Sequence, residues 1–457
     1  MPRCIHCLLF CLILGLSLSL IGCAGLMKKH GDKEKEKIVV FALPLSGSHA
    51  FVGAKIREGA KLAEQEMMGQ GIRMRLHFFD TQTNDWVTRL GQLSDEFVVV
   101  GGPLNLPSYN LAKKSGLLRK HTFFAFLNNL DGTDEGSLAW RFFPSPQDQV
   151  DALLNFASNS LHIRSFGAFY PDDSYSQKMV SLFEKAVQRR NLPLQKAIYN
   201  AKLPSSWSHA ASALINPIVE GNLSNATPIP QTSFEAVFLP ASWKHVDNII
   251  TSFMYNGEDR LVLMGTMLWE HSLAGKTFPK TDRYDLVMFP SAWNVSAAGA
   301  TSKERKQDFW EALGYDFVRF AVNLDLNQRP VSTELVAKAN QAKNVMRVLA
   351  PIHWDNQGIA HQKMFLYRYT QQGIRRIDAQ SFNQMRIQRK ERSALRLQAG
   401  AEKQTQSEVK ETLPPEIPQK AEPIPAPQPQ SPVAPISNMP HTSYKLRLPS
   451  KASNPTP

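Results

Sequence analysis

Ile38-Val39-Val40-Phe41-Ala42-Leu43-Pro44-Leu45-Ser46-Gly47 opens the foldable part of the chain and sets its architecture. Its first six residues are apolar without alternation, which reads as a strand buried on both faces, and Pro44 and Gly47 end it in a turn. Directly afterwards Ile56, Ala60, Ala63 and Met67 recur at helical spacing within Ala54–Met67. A doubly buried strand followed by an amphipathic helix is the repeating unit of a parallel α/β sheet. The unit recurs. Strands are expected over Met74–Phe79, Phe97–Val100, Thr122–Phe126, Ser165–Phe169, Ala236–Leu239, Leu261–Met264 and Leu286–Phe289. Helices are expected over Asn110–Leu118, Asp148–Ser158, Tyr175–Arg189, Lys244–Tyr255 and Lys303–Asn323. So many short strands imply two sheets, each with helices on both faces.

Both flanks of this region differ from it in composition. Arg3, the apolar run Leu8–Leu20 and Gly22 form a secretory signal rather than a membrane span. Leu20-Ile21-Gly22-Cys23 resembles a bacterial lipoprotein lipobox, which implies removal of 1–22 and acylation of Cys23. Acyl chains contribute roughly 0.8 kcal/mol per buried CH₂, enough when several act together to hold a protein on a membrane. Ala24 in place of aspartate implies, by resemblance to enteric sorting signals, the outer membrane facing the periplasm. Cys4, Cys7 and Cys11 lie upstream of the cut, so no disulfide is expected in the processed chain. Residues 23–37 read as a charged spacer, and 381–457 as a basic, Pro-rich disordered tail. The net charge of +12 on 457 residues is spread out and lacks an aromatic-interleaved stripe. Nucleic acid is therefore not an expected partner. Anionic lipid or wall polymer is one counter-surface for that charge, and plain solubility is the other reading.

Several stretches then align with a known family. Ala42-Leu43-Pro44-Leu45-Ser46-Gly47, Phe51-Val52-Gly53 and Arg57-Glu58-Gly59-Ala60 resemble the opening of type I periplasmic binding proteins, the leucine/isoleucine/valine-binding fold. Val100-Gly101-Gly102-Pro103, Arg141-Phe142-Phe143-Pro144-Ser145 and Phe169-Tyr170-Pro171-Asp172-Asp173-Ser174-Tyr175 continue the likeness in order. It implies an α/β protein of two Rossmann-like lobes, 38–143 plus 268–349 and 144–267 plus 350–380, with a cleft between them. Ala236-Val237-Phe238-Leu239-Pro240-Ala241, Ala312-Leu313-Gly314-Tyr315-Asp316-Phe317 and Met364-Phe365-Leu366-Tyr367-Arg368-Tyr369 resemble one branch, the C-terminal domain of penicillin-binding-protein activator lipoproteins. That branch implies a bifunctional cell-wall synthase as partner. Its members usually carry a helical-repeat domain ahead of this fold, where this sequence has the charged spacer.

In such sheets ligands sit beyond the carboxyl ends of strands. Ser46, Gly47 and Ser48 follow the first strand, where backbone N–H groups could hold a carboxylate. Gly102 and Ser108 follow the third strand, Asn128 and Asn129 the fourth, and Asp172 and Tyr175 belong to the second lobe. By resemblance Ser108, Asn128, Asn129 and Tyr175 lie near the ligand. Caps and turns are the other reading of Ser46, Asn128, Asn129 and Asp172. Phe51 and Trp269 read either as lid aromatics or as core. Amino-acid binders place a carboxylate two residues after a second-lobe glycine to pair with the ligand ammonium; Gly265-Thr266-Met267 puts methionine there, and Glu270 is out of register. Thr266 remains a cleft candidate. No nucleophile elbow, HExxH, P-loop or GxGxxG occurs, and the histidines lack ligand spacing, so neither an enzyme nor a cofactor or metal site is expected. Two functions follow: an envelope interaction module regulating peptidoglycan synthesis, or a solute-binding protein or sensor for an amino acid, peptide or other small molecule, serving an ABC transporter. For the anchor, Cys23→Ala should leave the protein unprocessed or soluble on cell fractionation; normal processing and membrane retention would refute it.

Overall fold

The computed structural model describes residues 36–93, 97–219, 228–273, 282–294, 308–326, 328–346, 348–371 and 373–412, the side chains of 271, 272 and 400–412 excepted. The expected signal peptide, Cys23, most of the spacer and the Pro-rich segment from 413 lie outside the described residues.

β1 (Lys37–Leu43) is the centre of the first lobe. It pairs in parallel with β2 (Met74–Asp80) and β3 (Val99–Gly101), and β4 (Thr122–Ala125) and β5 (Ala139–Arg141) complete a sheet of order β2-β1-β3-β4-β5. Val39 through Leu43 are wholly buried, as the unbroken apolar run requires. Val39, Phe41 and Leu43 enter one apolar cluster, and Val40 and Ala42 the cluster on the opposite face, which follows from the two-residue period of a strand. α1 (Ala50–Gly69) covers the first face; α2 (Trp86–Gly91), α3 (Leu106–Lys114) and α4 (Leu117–Lys120) cover the second.

The second lobe is a sheet of seven strands. β6 (Phe166–Pro171), β7 (Leu194–Tyr199), β8 (Ala236–Phe238), β9 (Val262–Met264) and β10 (Val287–Ser291) run parallel. β13 (Phe365–Thr370) and β14 (Gly373–Arg376) add an antiparallel edge, giving the order β14-β13-β10-β9-β8-β6-β7. α5 (Pro146–Asn155) and α6 (Ser174–Gln188) pack on one face, α7 (Trp207–Ile215) and α8 (Val246–Tyr255) on the other. Two parallel-based α/β lobes are what the alternating pattern led us to expect.

The lobe boundaries shift from those expected. β10 pairs with β9, and Trp269 and Leu273 of α9 (Leu268–Leu273) belong to the second lobe's core, so the chain leaves that lobe after Ser291 rather than after 267. It crosses through Ala292-Trp293-Asn294. The first lobe then receives α10 (Phe309–Asn323), α11 (Ser332–Ala342) and the hairpin of β11 (Ile352–Trp354) and β12 (Ala360–Gln362), so the return falls at Met364 rather than 350. Hydrogen-bond ladders decide sheet membership, and an apolar tripeptide does not announce which ladder it joins. A second correction concerns the tail. Ala379–Thr412 is a helix, α12, rather than the start of a disordered segment at 381. Phe382 is fully buried in the second lobe, Lys390 meets Glu235 at 2.7 Å, Arg396 meets Asp259 at 2.9 Å and Arg389 meets Asp285 at 3.5 Å. Basic residues assigned to the disordered tail are anchors.

Two contacts hold the discontinuous parts together. α1 and α10 cross through glycines: a Cβ on Gly59 would lie 1.8 Å from the Glu311 carbonyl oxygen, and one on Gly314 would lie 1.9 Å from that of Ile56. Along the same crossing Arg319 donates to Glu66 at 2.9 Å, Tyr315 donates to the other Glu66 oxygen, and the buried Asp316 accepts the amides of Val348 and Leu349 at 2.9 and 2.6 Å. Arg141 is the other clamp. It meets Glu135 at 3.1 Å and Asp148 at 3.4 Å, and donates to the carbonyls of Phe143 and Ala360. It thereby ties the first crossover to β12 and to the capping box of Ser145 and Asp148 that starts α5. Gly314→Ala should force the two helices apart and cost about 1–3 kcal/mol, read as a lower melting temperature; an unchanged melting temperature would show that the crossing tolerates a methyl group.

Candidate functional site

The candidate residues fall where α/β topology predicts, at the carboxyl ends of β1, β3, β4, β6 and β9, and the structure shows what each does there. Ser46, Gly47 and Ser48 are exposed in a short turn before α1. The turn is already engaged. Asp80, opposite Leu43 at the end of β2, accepts the Leu45 amide at 2.9 Å and the Gln82 amide at 3.1 Å. Burial opposes its ionisation, yet hydrogen bonds from the Ser46 hydroxyl and from the amides of Gln82, Leu45 and Ser46 outweigh that and hold Asp80 below the usual carboxylate range. The carboxylate expected in this loop is thus supplied by the chain itself. An aspartate closing an apolar strand and leading into Thr81-Gln82-Thr83-Asn84 was the signal for it.

Gly102 serves the backbone. It adopts φ +102°, and a Cβ there would sit 2.2 Å from the Ala42 carbonyl oxygen, so close packing of β3 against β1 requires glycine. Ser108 is buried in α3, and its amide bonds the Asn105 cap at 2.8 Å. Asn128 and Asn129 are exposed after β4. Of the two aromatics, Phe51 is 67% exposed with the Lys55 ammonium 5.1 Å from its ring centroid, whereas Trp269 is core, donating to the Ala241 carbonyl at 2.7 Å. Asp172 is exposed and takes a hydrogen bond from Gln177, while its neighbour Asp173 caps α6. Tyr175 is half-buried; burial lifts its phenol above the ordinary value, a contact with Thr266 opposes this, and Asp173 reinforces it. Tyr175 and Thr266 are therefore brought together within the second lobe.

Met267 joins the lobes. It packs into the first lobe's apolar cluster, and its amide donates to Gln149 at 3.1 Å. Glu270, one helical turn on, is buried and meets no cation among the described residues. Neither of its oxygens makes a well-formed hydrogen bond. Burial pushes its carboxyl up to about 8; the Ser291 hydroxyl pulls it back a little, and Asp308 of the first lobe pushes it further. Asp308, the α10 cap, is itself paired with Lys55. Glu270 is thus mostly protonated at neutrality and a poor counter-ion for an ammonium group. Three cavities, of about 200, 550 and 300 Å³, lie away from these residues: one beside α8, one at the return crossover, and one under α12.

The raised Glu270 value carries a sign. The unfolded chain loses this proton near pH 4.5 and the folded chain near 8, so its contribution to stability declines as pH rises between those values and is constant above them. Glu270→Gln should remove that decline. Urea unfolding at pH 5 and 8 tests this, and equal pH slopes for the two proteins would refute it.

No family model matches this sequence, and no curated protein does. Among solved structures, a putative branched-chain amino acid ABC transporter from Rhodospirillum rubrum aligns at a TM-score of 0.55 and 13% identity, covering 75% of this chain and 100% of that one. Leucine-binding protein LivK from Thermotoga maritima aligns at 0.50 and 13%, covering 75% of this chain and 98% of that one. Full-length LpoA from Haemophilus influenzae aligns at 0.52 and 15%, covering 76% of this chain and 60% of that one. At these identities the likeness shows the fold alone: the chain has the type I periplasmic-binding-protein fold.

Proposed function

We propose that this protein is a non-enzymatic envelope lipoprotein, anchored through Cys23 at the outer membrane and facing the periplasm, whose two lobes bind a protein partner and regulate peptidoglycan synthesis. The observation that carries this reading is Met267. Its side chain reaches from the second lobe into the apolar core of the first, at the position where the family resemblance places an amino-acid binder's carboxylate. A ligand ammonium placed there would lose its water and gain no anion, which is costly. Glu270 does not replace that anion, because burial keeps it largely protonated. On the other side Asp80 occupies the loop amides that would hold the ligand carboxylate. Both ends of an amino acid are thus answered from within the chain, which supports an interaction module over ligand delivery. The sequence likeness of the second half to penicillin-binding-protein activators supplies the partner class, a bifunctional cell-wall synthase. LpoA spans considerably more chain than the region matched here, so this role rests on the cleft and on those motifs rather than on the alignment.

The decisive comparison sets the purified full chain against such a synthase in a glycan-polymerisation assay, with leucine, isoleucine and valine titrated separately. Saturable binding and faster polymerisation are expected, with no calorimetric response to the amino acids. A tight amino-acid complex without any effect on the synthase would overturn the proposal in favour of a solute-binding protein or sensor.

A further inference from the structure

Glu270 sits where the two lobes join. It lies in α9, one turn after Met267, which enters the first lobe's apolar cluster. Beside it is Ser291, the last residue of β10, whose hydroxyl also accepts the Trp293 amide at 2.9 Å at the start of the crossover. The charge it meets from the first lobe is that of Asp308, the cap of α10. Glu270 is 2% exposed, and both carboxyl oxygens are buried. No cation compensates it. α9 packs on β10, on the Trp243–His245 turn and on β14. β10 carries no titratable group, and neither Lys244 and His245 of that turn nor Arg375 and Arg376 of β14 act on Glu270. From α5 comes the neutral Gln149, which accepts the Met267 amide, while Asp148 and Asp151 of that helix are held by Arg141 and Arg190. Asp308 has its own cation in Lys55, which it shares with Glu311 at 3.9 Å.

A carboxylate in this position is stripped of water and meets a like charge, so the packed arrangement needs the acid form. An ionised Glu270 has two ways out: α9 turns within its own lobe, or the first lobe withdraws and admits water. The first is obstructed. Trp269 is fully buried and donates to the Ala241 carbonyl at 2.7 Å, Leu273 is buried in the same cluster, and a Cβ on Gly265 would lie 2.1 Å from the Trp269 ring. The second is not. Among the described residues the tie to the first lobe beside Glu270 is the apolar Met267 side chain, and its release breaks no hydrogen bond.

We propose that Glu270 is a proton-operated latch: protonated, it lets Met267 seat in the first lobe, and ionised, it parts the lobes about their crossovers and bares Met267. The device belongs to the fold and holds whichever partner the protein serves. Closed and open forms are then two populations whose ratio the proton sets, because only the closed form favours the acid.

The test is small-angle X-ray scattering on the full chain from about pH 6 to about pH 9.5, on either side of the Glu270 value of about 8. Circular dichroism and hydrogen exchange of α9 are followed in parallel. The radius of gyration should rise reversibly across that range with helix content unchanged. Glu270→Gln keeps the shape of the acid without its proton equilibrium, and should hold the low-pH radius throughout. Met267→Ala weakens the tie and should move the rise to lower pH. A constant radius in the native chain, an equal rise in Glu270→Gln, a rise accompanied by loss of helix, or faster exchange of α9 at constant radius overturns the proposal.

Discussion

The contact on which this architecture depends is the crossing of α1 and α10 through Gly59 and Gly314. Residues more than two hundred apart in sequence lie so close there that neither helix has room for a β-carbon. The crossing makes the first lobe discontinuous: a segment that follows the whole of the second sheet returns to cover the first. Around it Glu66 gathers Arg319 and Tyr315, and Asp316 secures the backbone that follows α11. Removing Glu66 would be costly because it strands the buried Arg319 guanidinium in a medium that solvates it poorly.

That crossing also fixes what the space between the lobes can do. Burial keeps the Glu270 carboxyl of the second lobe protonated, and the charge of Asp308, where α10 begins, adds to that effect. The loop bearing Glu270 inserts Met267 into the same apolar cluster that α10 helps to form. Between the lobes this chain has an apolar bridge and a neutral acid. The Arg141 clamp works in the same direction, since one guanidinium holds the first crossover, β12 and the start of α5. Among the described residues these contacts pack the two lobes against each other.

Much of this was legible beforehand, for identifiable reasons. Continuous apolar runs such as Ile38–Leu43 mark strands buried on both faces, and the helical spacing of Ile56, Ala60, Ala63 and Met67 marks the face of α1 that turns inward. Strand patterning placed Ser46, Gly102, Asn128, Asp172 and Thr266 after the carboxyl ends of strands, where the structure has them. Their roles were less legible. Whether Ser46 meets a ligand or Asp80, and whether Gly102 serves chemistry or packing, depends on a neighbouring strand. α12 escaped notice because its polar sequence buries little beyond Phe382 and holds on mainly through ion pairs to Glu235, Asp259 and Asp285, and acids scattered over fifty residues leave no periodic trace.

The sequence by itself determined the fold class and the alternation of strands and helices, because these depend on local residue type and spacing. Tertiary structure alone decided which sheet β10 joins, where the chain crosses between lobes, that Ala379–Thr412 is an anchored helix, and that Met267 packs into the core of the first lobe. Each of those rests on a contact between residues far apart along the chain. Such contacts are selected by the hydrogen-bond partners and packing volume available once both lobes exist, and a one-dimensional pattern does not carry that information.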